Sequence, residues 1–203
     1  MTQNRIKMKN AKKLVAITGG IGSGKSLALT ILNEKGYSTL SCDKIVSDLY
    51  KTHKVKLMLK ALFPDGVNGN KRLTIDRKAI AQKTFSDKGL HKQLTDLITP
   101  LVIKRVQNIA RRTKDTLFVE VPLLFECNYQ NYFDYVLVIM RNKSARIESV
   151  KLRSNLTEKQ VLDRIKSQID YDKLDLTNFI VLQNDGEKGA FAKALISAIE
   201  KIL

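Results

Sequence analysis

The chain has 203 residues, 43% of them hydrophobic and 28% charged, a balance that fits one folded domain and excludes a disordered or fibrous chain. Its formal net charge of +16 suits polyanionic partners such as nucleic acid, anionic lipid or phosphorylated small molecules, yet the basic residues are spread among acids and form no aromatic-rich basic motif. The two cysteines, Cys42 and Cys127, argue against a disulfide framework and for a reduced, cytoplasmic setting, and no apolar run approaches the roughly 18 residues of a membrane span.

Residues 1–13, MTQNRIKMKNAKK, carry Arg5, Lys7, Lys9, Lys12 and Lys13 without an acid. They read as a frayed basic arm, with a nucleic-acid or membrane contact as the alternative, and lack the apolar stretch and cleavage site of a signal peptide. LVAIT (14–18) is a short β-branched run and predicts the first strand. A glycine loop then leads into SLALTILNEKG (26–36), where Leu27, Ile31 and Leu32 recur at helical spacing and Gly36 marks the stop. YSTLS (37–41) predicts a weaker second strand, and DKIVSDLYK a helix led by Asp43.

From Val55 to Thr113 helical patterns dominate, with no strong strand signal. VKLMLKALF (55–63) is helical, FPDGVNGN (63–70) is rich in turn residues, and LTIDRKAIAQKTF (73–85) predicts a helix capped by Thr74. DKGLHKQLTDLI and PLVIKRVQNIARR read as two helices broken at Thr99-Pro100, where proline suits the first turn of the second. Strands return in TLFVEV (116–121) and YVLVIM (135–140), continuous apolar runs of the kind covered on both faces. LTEKQVLDRIKSQ (156–168) opens with Thr157 and Gln160 in capping-box spacing. NFIVLQN (178–184) is a last strand and EKGAFAKALISAIEKIL a closing helix.

This alternation, with an all-helical excursion in the middle, predicts a three-layer α/β domain built on a parallel sheet. Ligands bind such sheets at the carboxyl ends of the strands. The expected site residues are therefore Gly19 to Ser26, Asp43, Pro122 to Glu126, Arg141 and Asn184.

Gly19, Gly24, Lys25 and Ser26 fit G-x-x-x-x-G-K-[ST], the P-loop, and the match lies between a predicted strand and a predicted helix. Glycines let consecutive amides turn toward phosphate oxygens, and the helix that follows adds its positive end. Gly20, Ile21, Gly22, Ser23, Gly24, Lys25, Ser26 and Leu27 are thus the expected residues for binding a nucleoside triphosphate. Lys25 would reach the β- and γ-phosphates and the Ser26 hydroxyl would ligate Mg²⁺. The competing reading is a glycine-rich turn without a ligand. A regulatory GTPase is disfavoured, since no glycine has Asp three residues before it and Ala145 stands where RNKSA (141–145) would need a guanine-reading Asp. A small-molecule kinase fits the length and layout.

Phosphoryl transfer also needs an acceptor-orienting base and cations over the moving group. Asp43, after the second strand, can accept the hydroxyl proton, or serve as the N-cap of the next helix. The arginines of 141–164 are the cationic candidates, with Arg153 just before a capped helix that could close as a lid and Arg164 within it.

VAITGGIGSGKS (15–26), CDKI (42–45), DRKAIAQKTF (76–85), VPLLFE (121–126), RSNLTEKQVLDRIKSQ (153–168) and NDG (184–186) together resemble the dephospho-CoA kinase family over nearly the whole chain. The double-glycine loop and the Pro-Leu-Leu-x-Glu stretch are the specific signals. The resemblance implies a P-loop kinase fold: a core of 14–43, 115–141 and 177–203, a helical CoA-binding region at 44–114, and a lid at 142–176. It implies transfer of the ATP γ-phosphate to the ribose 3′-hydroxyl of dephospho-CoA with Mg²⁺, by a cytoplasmic monomer or small homo-oligomer needing no nucleic acid or membrane. It also narrows the triphosphate bound by Gly20 to Leu27 to ATP. Asp43 then matches the base, Arg153 the lid arginine, Arg77 an arginine of the helical region, and Asn184 a residue near the adenine pocket. Pro122 and Leu123 match the loop lining the acceptor site.

Some positions depart from the family pattern. Ser41 takes the place of the first of two acids, Ser47 and Ser149 of arginines, Leu27 of Thr, and Thr99 of the His before Pro. These bear on substrate affinity and lid contacts more than on reaction type. Another P-loop small-molecule kinase, acting on a nucleoside or nucleotide hydroxyl, is the alternative of like class; a basic, nucleic-acid-associated NTPase is the alternative of another class.

Overall fold

The computed structural model describes residues 12–203 apart from Lys71 and Asn155. In chain order its elements are β1 (Leu14–Thr18), α1 (Lys25–Glu34), β2 (Ser38–Ser41), α2 (Cys42–Leu49), α3 (His53–Leu62), β3 (Val67–Asn68), β4 (Thr74–Ile75) and α4 (Arg77–Ser86). There follow α5 (Lys88–Arg112), β5 (Leu117–Glu120), β6 (Tyr135–Met140), α6 (Lys143–Ser154), α7 (Glu158–Lys166), β7 (Ile180–Gln183) and α8 (Lys188–Glu200). Contacts divide the chain into two compact units, one formed by residues through Leu40 with Ala110–Leu203, the other by Ser41–Ile109.

The first unit is organised by a five-stranded sheet in the order β2-β5-β1-β6-β7, flanked by helices, as the α/β reading expects. β1 pairs in parallel with β5 on one side and β6 on the other, and β6 pairs in parallel with β7. Inner strands of a helix-flanked parallel sheet are buried on both faces, which is why Leu117–Val119 of β5 and the interior of β6 are apolar without alternation. On one face Val15, Ile17, Phe118, Leu137, Ile139 and Leu182 meet Ala28, Ile31 and Leu32 of α1 and Phe191, Leu195 and Ile199 of α8. The sheet residues recur at a period of two and the helix residues at three to four, the spacings that put each set on one face. Full burial of each Leu, Ile or Phe contributes roughly 1.5–3 kcal/mol, and Leu32→Ala would cost about 2–5 kcal/mol through the cavity it leaves.

Of the expected basic arm, residues 1–11 lie outside the described residues. Lys12 and Lys13 are bonded: the Lys12 ammonium donates to the carbonyls of Ala110, Arg111 and Thr113 at 3.1 Å each, neutralising the end of α5, and Lys13 N donates to Thr116 Oγ1 at 3.1 Å.

Three expectations for the helical excursion are corrected. First, residues 73–76 are not helical. Thr74 and Ile75 form β4, which pairs antiparallel with β3, and Asp76 caps α4 by accepting from Lys78 N and Ala79 N at 3.0 Å. Asp76 offers the better acceptor for the first amides, so Thr74 is left to the hairpin. Second, a strand signal exists but spans two residues per strand, too short for a periodicity. Third, the two helices expected around Thr99-Pro100 are one, α5, with Pro100 inside. Proline removes one helical donor. Burial of Ile98, Val102, Ile103 and Val106 holds the helix through the gap, and the Thr99 hydroxyl donates to Thr95 O at 2.7 Å.

Candidate active site

The loop after β1 is shaped by its own carbonyls. Lys25, 9% exposed as a residue, donates from Nζ to Gly19 O at 2.8 Å and Gly20 O at 3.0 Å. Arg146 Nε donates to Ile21 O at 2.9 Å, Arg141 reaches Gly22 O at 3.5 Å, and Asn184 Nδ2 donates to Ser23 O at 2.8 Å. Five consecutive carbonyls are thereby taken by side chains. A trans peptide sets each carbonyl opposite the next residue's N–H, so the amides of Gly22 and Gly24 turn the other way. Those of Lys25, Ser26 and Leu27 follow in the first turn of α1, where amides lack helical acceptors.

Gly19 and Gly24 show why the motif needs glycine. Their φ angles are +144° and +110°, and a Cβ would strike the Ile139 carbonyl at the first and the Asn184 amide at the second.

Ser26, at the start of α1, donates from Oγ to Glu120 Oε1 at 3.0 Å. The register of β1 with β5 pairs Ile17 with Glu120, placing this acid at the strand's end beside the approach to the loop. Glu120 is only 7% exposed. Hydroxyl and carboxylate oxygens together are the donor chemistry of Mg²⁺, an ion that keeps waters and phosphate oxygens as its other ligands. No group of three or more His, Cys, Asp or Glu suited to a metal exists among the described residues.

Behind the loop, Arg146 lies buried on α6, its guanidinium against Gly20. Burial lowers its pKa, opposed by Asp172, Tyr171 and Asp170. Gln168 Oε1 accepts from Ile21 N at 2.7 Å. Tyr171, 2% exposed, shares a 3.0 Å hydrogen bond with Thr18 Oγ1 at the end of β1. Burial pushes its phenol up to about 12, the Thr18 bond opposing and the Glu126 charge adding to the rise. Glu126 Oε1 accepts from Ile169 N at 3.3 Å, and Phe125 packs edge-on against Tyr171 and Phe179. Pro122 and Leu123, half-buried, follow β5 in the same turn.

The structure thus brings Gly19 to Ser26 together with Asn184 and, at the loop's edge, Arg141. Leu27 is half-buried and packs against the core. Asn184 is 4% exposed, committed through its side chain to the loop and through its N–H to Met140 O. Arg153 is exposed in the last turn of α6, and Arg164 is exposed on α7, whose Thr157–Gln160 capping box forms as expected. Ser149 receives a hydrogen bond from Arg141 at 2.5 Å.

In the second unit, Asp43 is exposed in the first turn of α2. It is not the cap: that position falls to Ser41, because the helix begins at Cys42, before the acid. Arg77 donates to Ser47 Oγ at 3.1 Å and lies 5.3 Å from the centre of the Tyr50 ring. Burial raises the Tyr50 phenol pKa, and Arg77 opposes the rise.

Glu120 escapes the sequence reading, although it had a signal, an acid closing an otherwise apolar strand. Arg146 falls among the cationic candidates of 141–164, but nothing local singles it out: it shares a helix stripe with Val150, four residues on, and a lone arginine there reads as solvated.

A family model described as dephospho-CoA kinase matches residues 13–189. The dephospho-CoA kinase of Thermus thermophilus is 30% identical over 190 residues, covering 93% of this chain and 91% of that protein. Among solved structures, a Thermus thermophilus protein superposes with a TM-score of 0.81 at 29% identity, covering 95% of this chain and 98% of its own. Shikimate kinase from Acinetobacter baumannii shares the fold alone, with a TM-score of 0.51 at 12% identity, covering 95% of this chain and 94% of its own. The loop, the sheet that carries it and a family match spanning almost the whole described chain agree, and the chain belongs to the dephospho-CoA kinase family.

Proposed function

We propose that the chain transfers the γ-phosphoryl group of ATP to the ribose 3′-hydroxyl of dephospho-CoA, the reaction that completes coenzyme A. The observation that carries this reading is the loop with its carbonyls bound to side chains and its amides turned away from them, an arrangement that suits a triphosphate.

In this reading Gly20 to Leu27 form the ATP-binding loop, the amides of Gly22 and of Gly24 to Leu27 hold the phosphates, and Asn184 keeps the loop in shape from the end of β7. Lys25 neutralises the β- and γ-phosphoryl oxygens, where charge accumulates as the bond to the leaving oxygen lengthens. Asp43 accepts the proton of the 3′-hydroxyl as that oxygen bonds to phosphorus and ADP departs. Arg153 adds charge from the lid, 142–176. Arg77 of the helical region 44–114 and Pro122 and Leu123 of the turn after β5 hold the acceptor. Ser26 and Glu120 would hold Mg²⁺, which when bound spreads the negative charge of the β- and γ-phosphoryl groups.

The setting we assign is the cytoplasm, with ATP and dephospho-CoA as partners and a monomer or small homo-oligomer as the working form. Two cysteines in a chain of 203 residues suit a reducing compartment better than a disulfide framework. No helix among the described residues is long and apolar enough to cross a membrane.

The test is to incubate the protein with ATP, Mg²⁺ and dephospho-CoA and to look for coenzyme A by mass spectrometry. Product appearing only with dephospho-CoA supports the reading. Phosphorylation of a nucleoside or nucleotide instead, or ATP turnover stimulated by RNA or DNA, would overturn it.

A further inference from the structure

We propose that Arg146 and Gln168 are positioning residues that clamp the two peptides flanking Ile21 and so hold the phosphate loop in its binding shape. The inference rests on the reading of that loop as the ATP site. Both polar groups of one loop residue are taken by side chains far along the chain: Ile21 N–H by Gln168 Oε1 at 2.7 Å, and Ile21 C=O by Arg146 Nε at 2.9 Å.

Ile21 stands between Gly20 and Gly22, so the backbone on each side has the widest conformational choice in the chain, and most to lose on ordering. Contacts beyond the hydrogen bonds reinforce the clamp. The Arg146 guanidinium packs on Gly20, and a Cβ on Gly22 would come within 2.6 Å of Arg146 O, so the first turn of α6 lies directly on the loop. An Ile21 amide committed to Gln168 is not a phosphate donor. The Gln168 bond fixes the Gly20–Ile21 peptide instead, and the Arg146 bond fixes the next one, whose Gly22 amide lies opposite Ile21 O and so faces away from Arg146. The clamp residues also bracket Arg153, so the stretch carrying that arginine is tied to the loop at both ends.

The test measures affinity for ATP and for adenosine, together with kcat, KM and Tm, in Gln168→Met, Gln168→Glu and Arg146→Lys. Gln168→Met should weaken ATP binding roughly tenfold through loss of the acceptor. Adenosine affinity should stay within about twofold, since the nucleoside makes no use of ordered phosphate donors. Gln168→Glu, which keeps an oxygen for Ile21 N–H, should recover ATP affinity to within about threefold of the original protein. Arg146→Lys should reproduce the split between ATP and adenosine, because a lysine cannot both pack on Gly20 and direct a donor at Ile21 O.

Unchanged ATP affinity in Gln168→Met and Arg146→Lys, or equal weakening of ATP and adenosine, would overturn the clamp. Amide exchange in the unaltered protein covers the case of variants that fail to fold: slow exchange at Ile21 is expected, and exchange at the rate of an open loop overturns the proposal. Failure of the unaltered protein to bind ATP would sink the reading of the site, while slow Ile21 exchange would still leave the clamp standing.

Discussion

The Ser26 hydroxyl donates to the Glu120 carboxylate across 3.0 Å, joining the last residue of the loop motif to the last residue of a neighbouring strand. An almost buried carboxylate in an apolar strand is costly unless something engages it. The bond to Ser26 does so, and it places two hard oxygen donors side by side.

Glu120→Gln keeps the volume and an acceptor for Ser26 but removes the charge. We expect the Mg²⁺ concentration giving half-maximal rate to rise by roughly tenfold or more, the scale set by lost ligand-shell partners at metal sites. Rates titrated against Mg²⁺ at saturating ATP test this. An unaltered Mg²⁺ dependence would reduce Glu120 to a structural partner of Ser26.

Lys25 is nearly buried, with its ammonium on the carbonyls of Gly19 and Gly20. Lys25→Met removes a cation that the reading directs at the transferring group, and turnover should fall by at least roughly 10³-fold. The same change deprives two carbonyls of a donor, so a loss of about 1–3 kcal/mol in stability should accompany it. Single-turnover rates and urea midpoints measured together separate the two effects. Near-normal turnover would undo the assignment of the loop.

Asp43 lies within the first turn of α2, with Ser41 at the cap, so its contribution to the helix is limited to the dipole term of about 0.3–1 kcal/mol. Asp43→Asn should therefore hardly move Tm. If the carboxylate accepts the hydroxyl proton, kcat should fall by roughly 10²–10⁴-fold while ATP still binds. Equilibrium ATP binding beside steady-state kinetics decides between the roles, and an unchanged kcat would strip Asp43 of the chemistry.

Features of the site that repeat a local rule are legible from residue order alone. YVLVIM marks β6 to the residue, because a strand covered on both faces must be apolar throughout. Thr157 and Gln160 mark the start of α7, because a capping box is local chemistry. What depends on distant partners is not legible in this way. Arg146 is buried because Ile21, Gly20 and the acids at Asp170 and Asp172 surround it, and none of these lies near it in sequence. Pro100 is tolerated because α5 buries residues on both sides of it, a tertiary effect that overrides the local preference. β3 and β4 are too brief to leave a pattern, and only their pairing reveals them.

Tyr171 gives the structure a pH signature at the alkaline end. Its phenol is pushed from the ordinary value of 10.0 up to about 12, chiefly by burial. Because the folded value is the higher one, the unfolded chain gives up this proton first as pH rises, and binds fewer protons than the native state between those values. The stabilisation is complete below pH 10 and is lost as pH climbs toward 12. A shift of this size corresponds to a fall on the order of 2–3 kcal/mol once titration is complete. Tyr171→Phe removes the titrating group while keeping the ring against Phe125, and loses the hydrogen bond to Thr18 at a cost of about 1 kcal/mol. The variant should thus be less stable at pH 8, yet lose less stability between pH 9 and 11, so that the two curves converge. Urea midpoints at half-unit intervals over that range test the sign. Curves that stay parallel would mean the Tyr171 phenol ionises no later in the native protein than in the unfolded chain.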